Sequence, residues 1–215
     1  MRISFGILVH NETDSLQKLL DSLLKHRDYE YEVVIIDDYS DNQGTAGILG
    51  YHQAERGVKV YQRHLDNDYA SQKNFMIEKC IGDYILNPDA DEIFPDYLLE
   101  NIHLIIEQNN TECLWLPRVN IVEGLTPEWA QRFGFRVNEK GWVNWPDPQQ
   151  RVFKKDYPRI CWINKVHERL TGYKNHAFLP FEMDMTEYVA IKHVKTLWRQ
   201  IEQNQKYSKI LEEIK

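Results

Sequence analysis

Ile3 to Val9 form an almost unbroken apolar run, the pattern of a parallel strand covered on both faces. Leu16, Leu19, Leu20, Leu23 and Leu24 then recur at helical spacing, with Asn11 or Thr13 available as the cap, so the first segment predicts a βα unit. Val33-Val34-Ile35-Ile36 repeats the strand pattern, ends at Asp37-Asp38, and leads through a glycine-containing stretch into a helix over 45–56. A strand over 58–61, a helix over 71–79, a strand at Tyr84-Ile85-Leu86 and a helix carrying Leu98, Leu99, Ile102, Ile105 and Ile106 on one face continue the alternation. Strands alternating with helices through the first ~110 residues predict an α/β fold with a mostly parallel, right-handed sheet.

Beyond Glu112 the periodicity is lost. Trp115, Trp129, Trp142, Trp145 and Trp162 are scattered among prolines, glycines and short β-like runs, which predicts irregular strands and loops. A polar amphipathic helix from about Thr196 to Lys215 ends the chain. With no repeat, low-complexity tract or linker, the expectation is one domain over 1–215, with a regular half (1–110) and an irregular half (111–215).

Composition narrows the function classes. The 215 residues are 42% hydrophobic and 12% aromatic, enough for a full core. A formal charge of −7 argues against a broad nucleic-acid-binding face, although a nucleic acid is not excluded as a substrate. Cys80, Cys113 and Cys161 are too far apart for a disulfide framework or a zinc knuckle. The apolar start is too short for a signal peptide, and no apolar run approaches the ~20 residues of a membrane span. The expected location is the cytoplasm of the producing or virus-infected cell.

The densest chemistry is Asn87-Pro88-Asp89-Ala90-Asp91-Glu92, three carboxylates directly after an apolar strand. Such a cluster puts hard oxygen ligands at the carboxyl edge of a sheet, where open α/β folds hold ligands. A solvated acidic turn ahead of a helix is the competing reading. The chain resembles glycosyltransferase family 2, which has the GT-A nucleotide-sugar fold. The resemblance covers nearly the whole chain and rests on Val-His-Asn-Glu (9–12), Ile-Asp-Asp-Tyr-Ser-Asp (36–41), Ala-Ser-Gln-Lys-Asn (70–74) and Gly-Asp-Tyr-Ile-Leu-Asn-Pro-Asp-Ala-Asp-Glu (82–92), in that order. Val-His-Glu (166–168) is similar to members that build lipopolysaccharide cores and to virus- and phage-encoded ones.

The resemblance implies a UDP-sugar donor, Mn²⁺ or Mg²⁺, a donor-binding first half and an acceptor-binding second half. His10, Asn11 and Glu12 would line the base and ribose pocket. An aspartate at the end of the second strand accepts the N3–H of uracil, a proton cytosine lacks, so Asp38 favours UDP or dTDP over CDP. Gln72 and Lys73 would face the donor's sugar and diphosphate, with a solvated helix lysine as the alternative for Lys73. Asp89 and Asp91 match the Asp-X-Asp metal motif; His193 stands where a histidine ligand is added, and Lys195 would reach the same phosphates. Inverting transfer needs a base, for which Glu168 is the first candidate and Asp147 the second. An ion pair to Lys165 or Arg169 is the structural alternative for Glu168. Trp142 and Trp145 stand as a sugar platform or as plain core. A sugar-phosphate nucleotidyltransferase would want a glycine-rich loop where His10-Asn11-Glu12 stands, and a non-catalytic nucleotide-sugar-binding module is the third reading. The acceptor, whether a glycan, lipopolysaccharide, viral glycoconjugate or other hydroxyl, is not encoded legibly.

Overall fold

The computed structural model describes residues 1–26 and 31–213. In chain order its elements are β1 (Ile3–Val9), α1 (Asp14–Lys25), β2 (Tyr31–Asp37), α2 (Gln43–Arg56), β3 (Lys59–Gln62), α3 (Tyr69–Lys79), β4 (Tyr84–Leu86), β5 (Glu92–Ile93), α4 (Asp96–Asn109), β6 (Cys113–Leu116), β7 (Arg118–Glu123), α5 (Pro127–Phe133), β8 (Gln149–Lys154), β9 (Cys161–Ile163), β10 (Arg169–Thr171), β11 (His176–Phe178), α6 (Thr186–Val189), β12 (Ile191–Thr196) and α7 (Leu197–Glu213). The helix expected to run to Lys215 is described as far as Glu213, and its last two residues lie outside the described part.

Among the described residues, seven strands form one sheet in the order β11-β6-β8-β4-β1-β2-β3. The pairs β1–β2, β1–β4, β2–β3 and β11–β6 are parallel, while β8 runs antiparallel to both β4 and β6. The regular half folds as its pattern predicts, because continuous apolar strands bury both faces: Ile3, Phe5 and Ile7 are at most 1% exposed, and so are Val34, Ile35 and Ile36. Leu16, Leu19, Leu20 and Leu23 of α1 cover one face, and Leu98, Leu99, Ile102 and Ile106 of α4 join the same core. Met76 and Ile77 of α3 pack on the other face with Val34 and Ile36. Gly6 lies beneath α3, where a Cβ would stand 2.1 Å from Met76 Sδ, so no larger residue fits unless the Met76 side chain gives way.

The second half carries more strand than expected. β6, β8 and β11 extend the main sheet, while β5, β12 and β7 form a three-stranded sheet beside it. These strands are three to six residues long, apart from the two-residue β5, and are separated by loops. Periodicity over so few residues is ambiguous, and what selects the strand state is pairing: Ile85↔Phe153 and Cys113↔Phe153 place one buried residue of β8 between two neighbours. No helix among the described residues is long and apolar enough to cross a membrane.

Candidate active site

One cleft of about 990 Å³ opens where the carboxyl ends of β1, β2 and β4 meet β8, β12 and α7. Its lining includes His10, Glu12, Asp38, Gln72, Lys73, Asp89, Asp91, Glu168, His193 and Lys195, ten of the twelve residues singled out from the sequence. Asn11 and Asp147 are not among the lining residues.

At the first end of the cleft, the aspartate pair after β2 divides its work. Asp37 is 2% exposed and closes the turn, its Oδ1 accepting from Ser40 N–H (3.0 Å) and Ser40 Oγ (2.6 Å) and its Oδ2 from Gln62 Nε2 (3.1 Å). Asp38 faces the cleft, with Oδ1 accepting from Leu65 N–H at 2.9 Å and His10 Nδ1 3.7 Å from Oδ2. His10 Nδ1 also lies 2.8 Å from the Asp38 carbonyl, so the imidazole is fixed beside the carboxylate. Asn11 has another task. With φ 59 its side chain bridges the two loops, accepting at Oδ1 from Asp41 N–H (3.0 Å) and Asn42 N–H (3.1 Å) and donating to Asp41 Oδ1 at 2.9 Å. Asparagine tolerates this left-handed backbone and offers both a donor and an acceptor, which makes it a loop clamp. Glu12 accepts from Ser15 Oγ at 3.0 Å and pairs with Arg199 of α7.

The far end is a charged network. Asn87, 1% exposed, donates to the Gly6 carbonyl at 2.7 Å and its own N–H bonds the Arg151 carbonyl at 2.8 Å, fixing the end of β4 between β1 and β8. The turn that follows is closed by Asp89 N–H to Glu92 Oε2 at 3.0 Å. Arg151, 3% exposed in the middle of β8, pairs through Nη2 with Asp89 and with Glu92 Oε1 (2.6 Å), and Glu92 itself is fully buried. Arg118 reaches Glu92 at 3.0 Å and Asp89 at 3.6 Å, and binds Asp147 Oδ2 through Nε (3.0 Å) and Nη2 (2.8 Å). Burial opposes the ionised form of Asp89, but Arg151, Lys73 and Arg118 outweigh it and hold the carboxyl well below the usual range. Asp147 also accepts from Asn120 Nδ2 at 2.6 Å and from Gln149 Nε2 at 3.1 Å, so its carboxylate is occupied by arginine and amide donors.

Asp91 is held differently. Burial again raises its pKa, but the hydrogen bond and charge of His193 bring it below the ordinary value. His193 Nε2 stands 3.3 Å from Asp91 Oδ2, and Nδ1 is 2.8 Å from Asn120 Oδ1, which orients the ring. Register explains the encounter, since His193 on β12 lies opposite both Glu92 on β5 and Asn120 on β7. A carboxylate oxygen and an imidazole nitrogen this close, with the ring fixed by a second bond, fit a divalent cation whose remaining ligands come from phosphate or water. Among the described residues no group of three or more His, Cys, Asp or Glu is arranged to hold a metal, and Asp89 lies beside the Asp91–His193 pair. Lys195 lines the same end, 2.9 Å from Gln203 Oε1, its pKa brought down to about 8 by burial against the pull of Asp91.

Glu168 projects into the cleft with a partner other than its sequence neighbours: Oε1 is 2.6 Å from Lys73 Nζ, so it is ion-paired, as in the structural alternative, but to neither Lys165 nor Arg169. Gln72 is 1% exposed and bonds the Arg63 carbonyl at 2.8 Å, so it braces the loop before α3. Several wall residues had no sequence signal of their own. Tyr69, Trp115, Trp162, Trp198, Arg199 and Tyr207 line the cleft, whereas Trp142 and Trp145 pack on each other 5.0 Å apart outside it. Burial, followed by the nearby Glu168, Asp38 and Asp89 carboxylates, raises the Tyr69 phenol to about 12 and keeps it a donor. Arg151 left no such signal either, standing in sequence between Gln149-Gln150 and Val152-Phe153-Lys154.

The model of Glycosyl transferase family 2 matches residues 4–166. Among curated proteins, the chain is 34% identical over 111 residues to undecaprenyl-phosphate 4-deoxy-4-formamido-L-arabinose transferase of Pseudomonas fluorescens (strain SBW25), covering 49% of this chain and 31% of that protein. It is 25% identical over 182 residues to glycosyltransferase SunS of Bacillus phage SPbeta, covering 83% of this chain and 36% of that one. The chain thus spans about a third of the length of these relatives. Among solved structures, S. aureus TarS 1-349 in complex with UDP-GlcNAc superposes with a TM-score of 0.64 at 16% identity, over 91% of this chain and 59% of that one, and so shares the fold.

Proposed function

This chain belongs to glycosyl transferase family 2, and we propose that it is a metal-dependent, inverting glycosyltransferase that moves a sugar from a UDP-sugar to an acceptor hydroxyl. The observation that carries the reading is one cleft lined by Asp38 at one end, by the Asp91–His193 pair at the other, and by Glu168. UDP and UDP-GlcNAc complexes of the TarS fold relative support the choice of donor. Asp38, with its carboxylate facing the cleft, would accept the uracil N3–H, and His10 would lie against the base. Asp91 and His193, with Asp89 beside them, would hold Mn²⁺ or Mg²⁺, which supplies Lewis-acid stabilisation of the leaving nucleoside diphosphate when bound. Lys195 would add a donor to the same phosphates.

Glu168 is the base in this reading. As the acceptor oxygen bonds the anomeric carbon from the face opposite the diphosphate, the hydroxyl proton passes to Glu168, the sugar–phosphate bond breaks with its electrons on UDP, and the configuration inverts. Asp147 is set aside, because its carboxylate is held by Arg118 and Asn120. The acceptor class stays with the names of the relatives, which include polyprenyl-phosphate and poly(ribitol-phosphate) transferases. Calorimetry of UDP with Mn²⁺ and with chelator tests the reading: affinity should fall at least about tenfold in chelator, and Asp91→Ala should weaken binding more than Asp89→Ala. Equal affinity in both conditions would sink the metal role.

A further inference from the structure

Lys73 stands between two anions in the proposed site, the donor's diphosphate and the Glu168 carboxylate, and its surroundings favour the second. Its Nζ is 2.6 Å from Glu168 Oε1 and 4.2 Å from the centre of the Trp162 ring, and the side chain is only 5% exposed. The stack is anchored one residue on. Asn74 donates from Nδ2 to the Trp162 carbonyl at 2.9 Å and accepts at Oδ1 from the Trp162 N–H at 2.8 Å, so α3 and β9 are pinned together beside the lysine. Tyr69 N–H bonds the Lys165 carbonyl at 2.9 Å, tying the start of α3 to the segment that carries Glu168. An ammonium held by a carboxylate and an indole face in this way loses both partners if it swings to a phosphate.

We propose that Lys73 is a positioning residue that, with Trp162 beneath it, sets the Glu168 carboxylate toward the acceptor hydroxyl and is not a ligand of the donor's diphosphate. The inference rests on the reading of Glu168 as base. Lys73 engages one carboxylate oxygen and leaves the other for the acceptor's proton. The pair spans 95 positions of sequence, so the base is aimed by an element on the donor side of the fold.

The test measures UDP affinity by calorimetry in Mn²⁺, and turnover of the best substrate among UDP-GlcNAc, UDP-glucose and UDP-galactose, for the wild type, Lys73→Met, Lys73→Arg, Glu168→Gln and the Lys73→Met/Glu168→Gln double variant. Lys73→Met should bind UDP within about threefold of wild type while turnover falls about 10²-fold or more, and Lys73→Arg should recover most of the loss. In the Glu168→Gln background Lys73→Met should cost nothing further, because a residue acting only through Glu168 has nothing left to position. The double variant replaces the ion pair by neutral side chains, so its thermal melt guards against misfolding as the cause. Loss of UDP affinity by about tenfold or more in Lys73→Met, or a further loss of turnover in the double variant, would make Lys73 a donor ligand and overturn the inference. Unchanged turnover in Lys73→Met would overturn it as well. A wild type that neither binds UDP nor cleaves any of the three sugars would instead remove the functional reading, and this inference with it.

Discussion

The His10–Asp38 end of the cleft is shaped mainly by two loops, residues 10–13 and 37–42, whose side chains bond one another's backbones. The Asp89–Glu92 end is assembled from segments far apart in the chain: Arg151 meets Asp89 across 62 positions and His193 meets Asp91 across 102. The first end relies on short hydrogen bonds at half-exposed loops, so each bond contributes modestly and damage stays local. The second buries full charges, Glu92 and Arg151 among them, where a lost partner leaves a charge without solvent or counter-ion. Specificity of shape is thus local at one end, and stability is tied to long-range pairing at the other.

The sharpest way to break this contrast is Arg151→Met. Removing the guanidinium leaves Asp89 unpaired apart from Arg118 and strips Glu92 of its 2.6 Å partner, and the variant should unfold with a stability loss of about 3 kcal/mol, near the low end for a broken buried pair because Arg118 still reaches Glu92. Denaturant midpoints at constant slope measure it; a loss below about 1 kcal/mol would mean the network is solvated and the two ends are not different in kind. At the other end Asp38→Ala should cost less and act on selectivity, erasing most of a UDP over CDP preference of ~1.5–3 kcal/mol in calorimetry. Retained discrimination would place base recognition elsewhere in the cleft. The smallest effect is expected for Asn11→Ala, which should lower stability by about 1 kcal/mol through the lost loop bonds and strained φ while UDP affinity changes less than about threefold. Asn11→Gly, free of the backbone strain, should lose less. A large affinity loss in Asn11→Ala with normal stability would return that residue to the donor pocket.

Much of the site could be read without the fold, for a physical reason. Asp38, Asp89, Asp91 and Glu168 sit where strands end or loops turn, and a carboxylate at the carboxyl edge of a parallel sheet has few structural uses, so residue type and position together point to chemistry. The same reasoning named Asp38 and gave its neighbour Asp37 no separate task; in the fold Asp37 closes the turn while Asp38 faces the cleft, a division set by one residue's step along a strand end. Nor could it distinguish Asn11 as clamp from Asn11 as ligand, since the amide serves either. Trp142 and Trp145 stood open between sugar platform and plain core and Trp162 was not singled out, yet Trp162 lines the cleft and the other two pack on each other outside it. Aromatic content carries no direction until packing supplies it.

The sequence alone determined the βα succession of the first half, the sheet edge on which the cleft opens and ten of the residues that line it, because continuous apolar strands and helical periodicity are local properties of the chain. Tertiary structure alone decided the partnerships: Lys73 with Glu168, Arg151 with Asp89 and Glu92, Arg118 with Asp147, and His193 with Asp91. Each depends on the register of short strands and on loops that bring distant segments within about 3 Å, and a charge reveals its partner only when the fold has excluded water from around it.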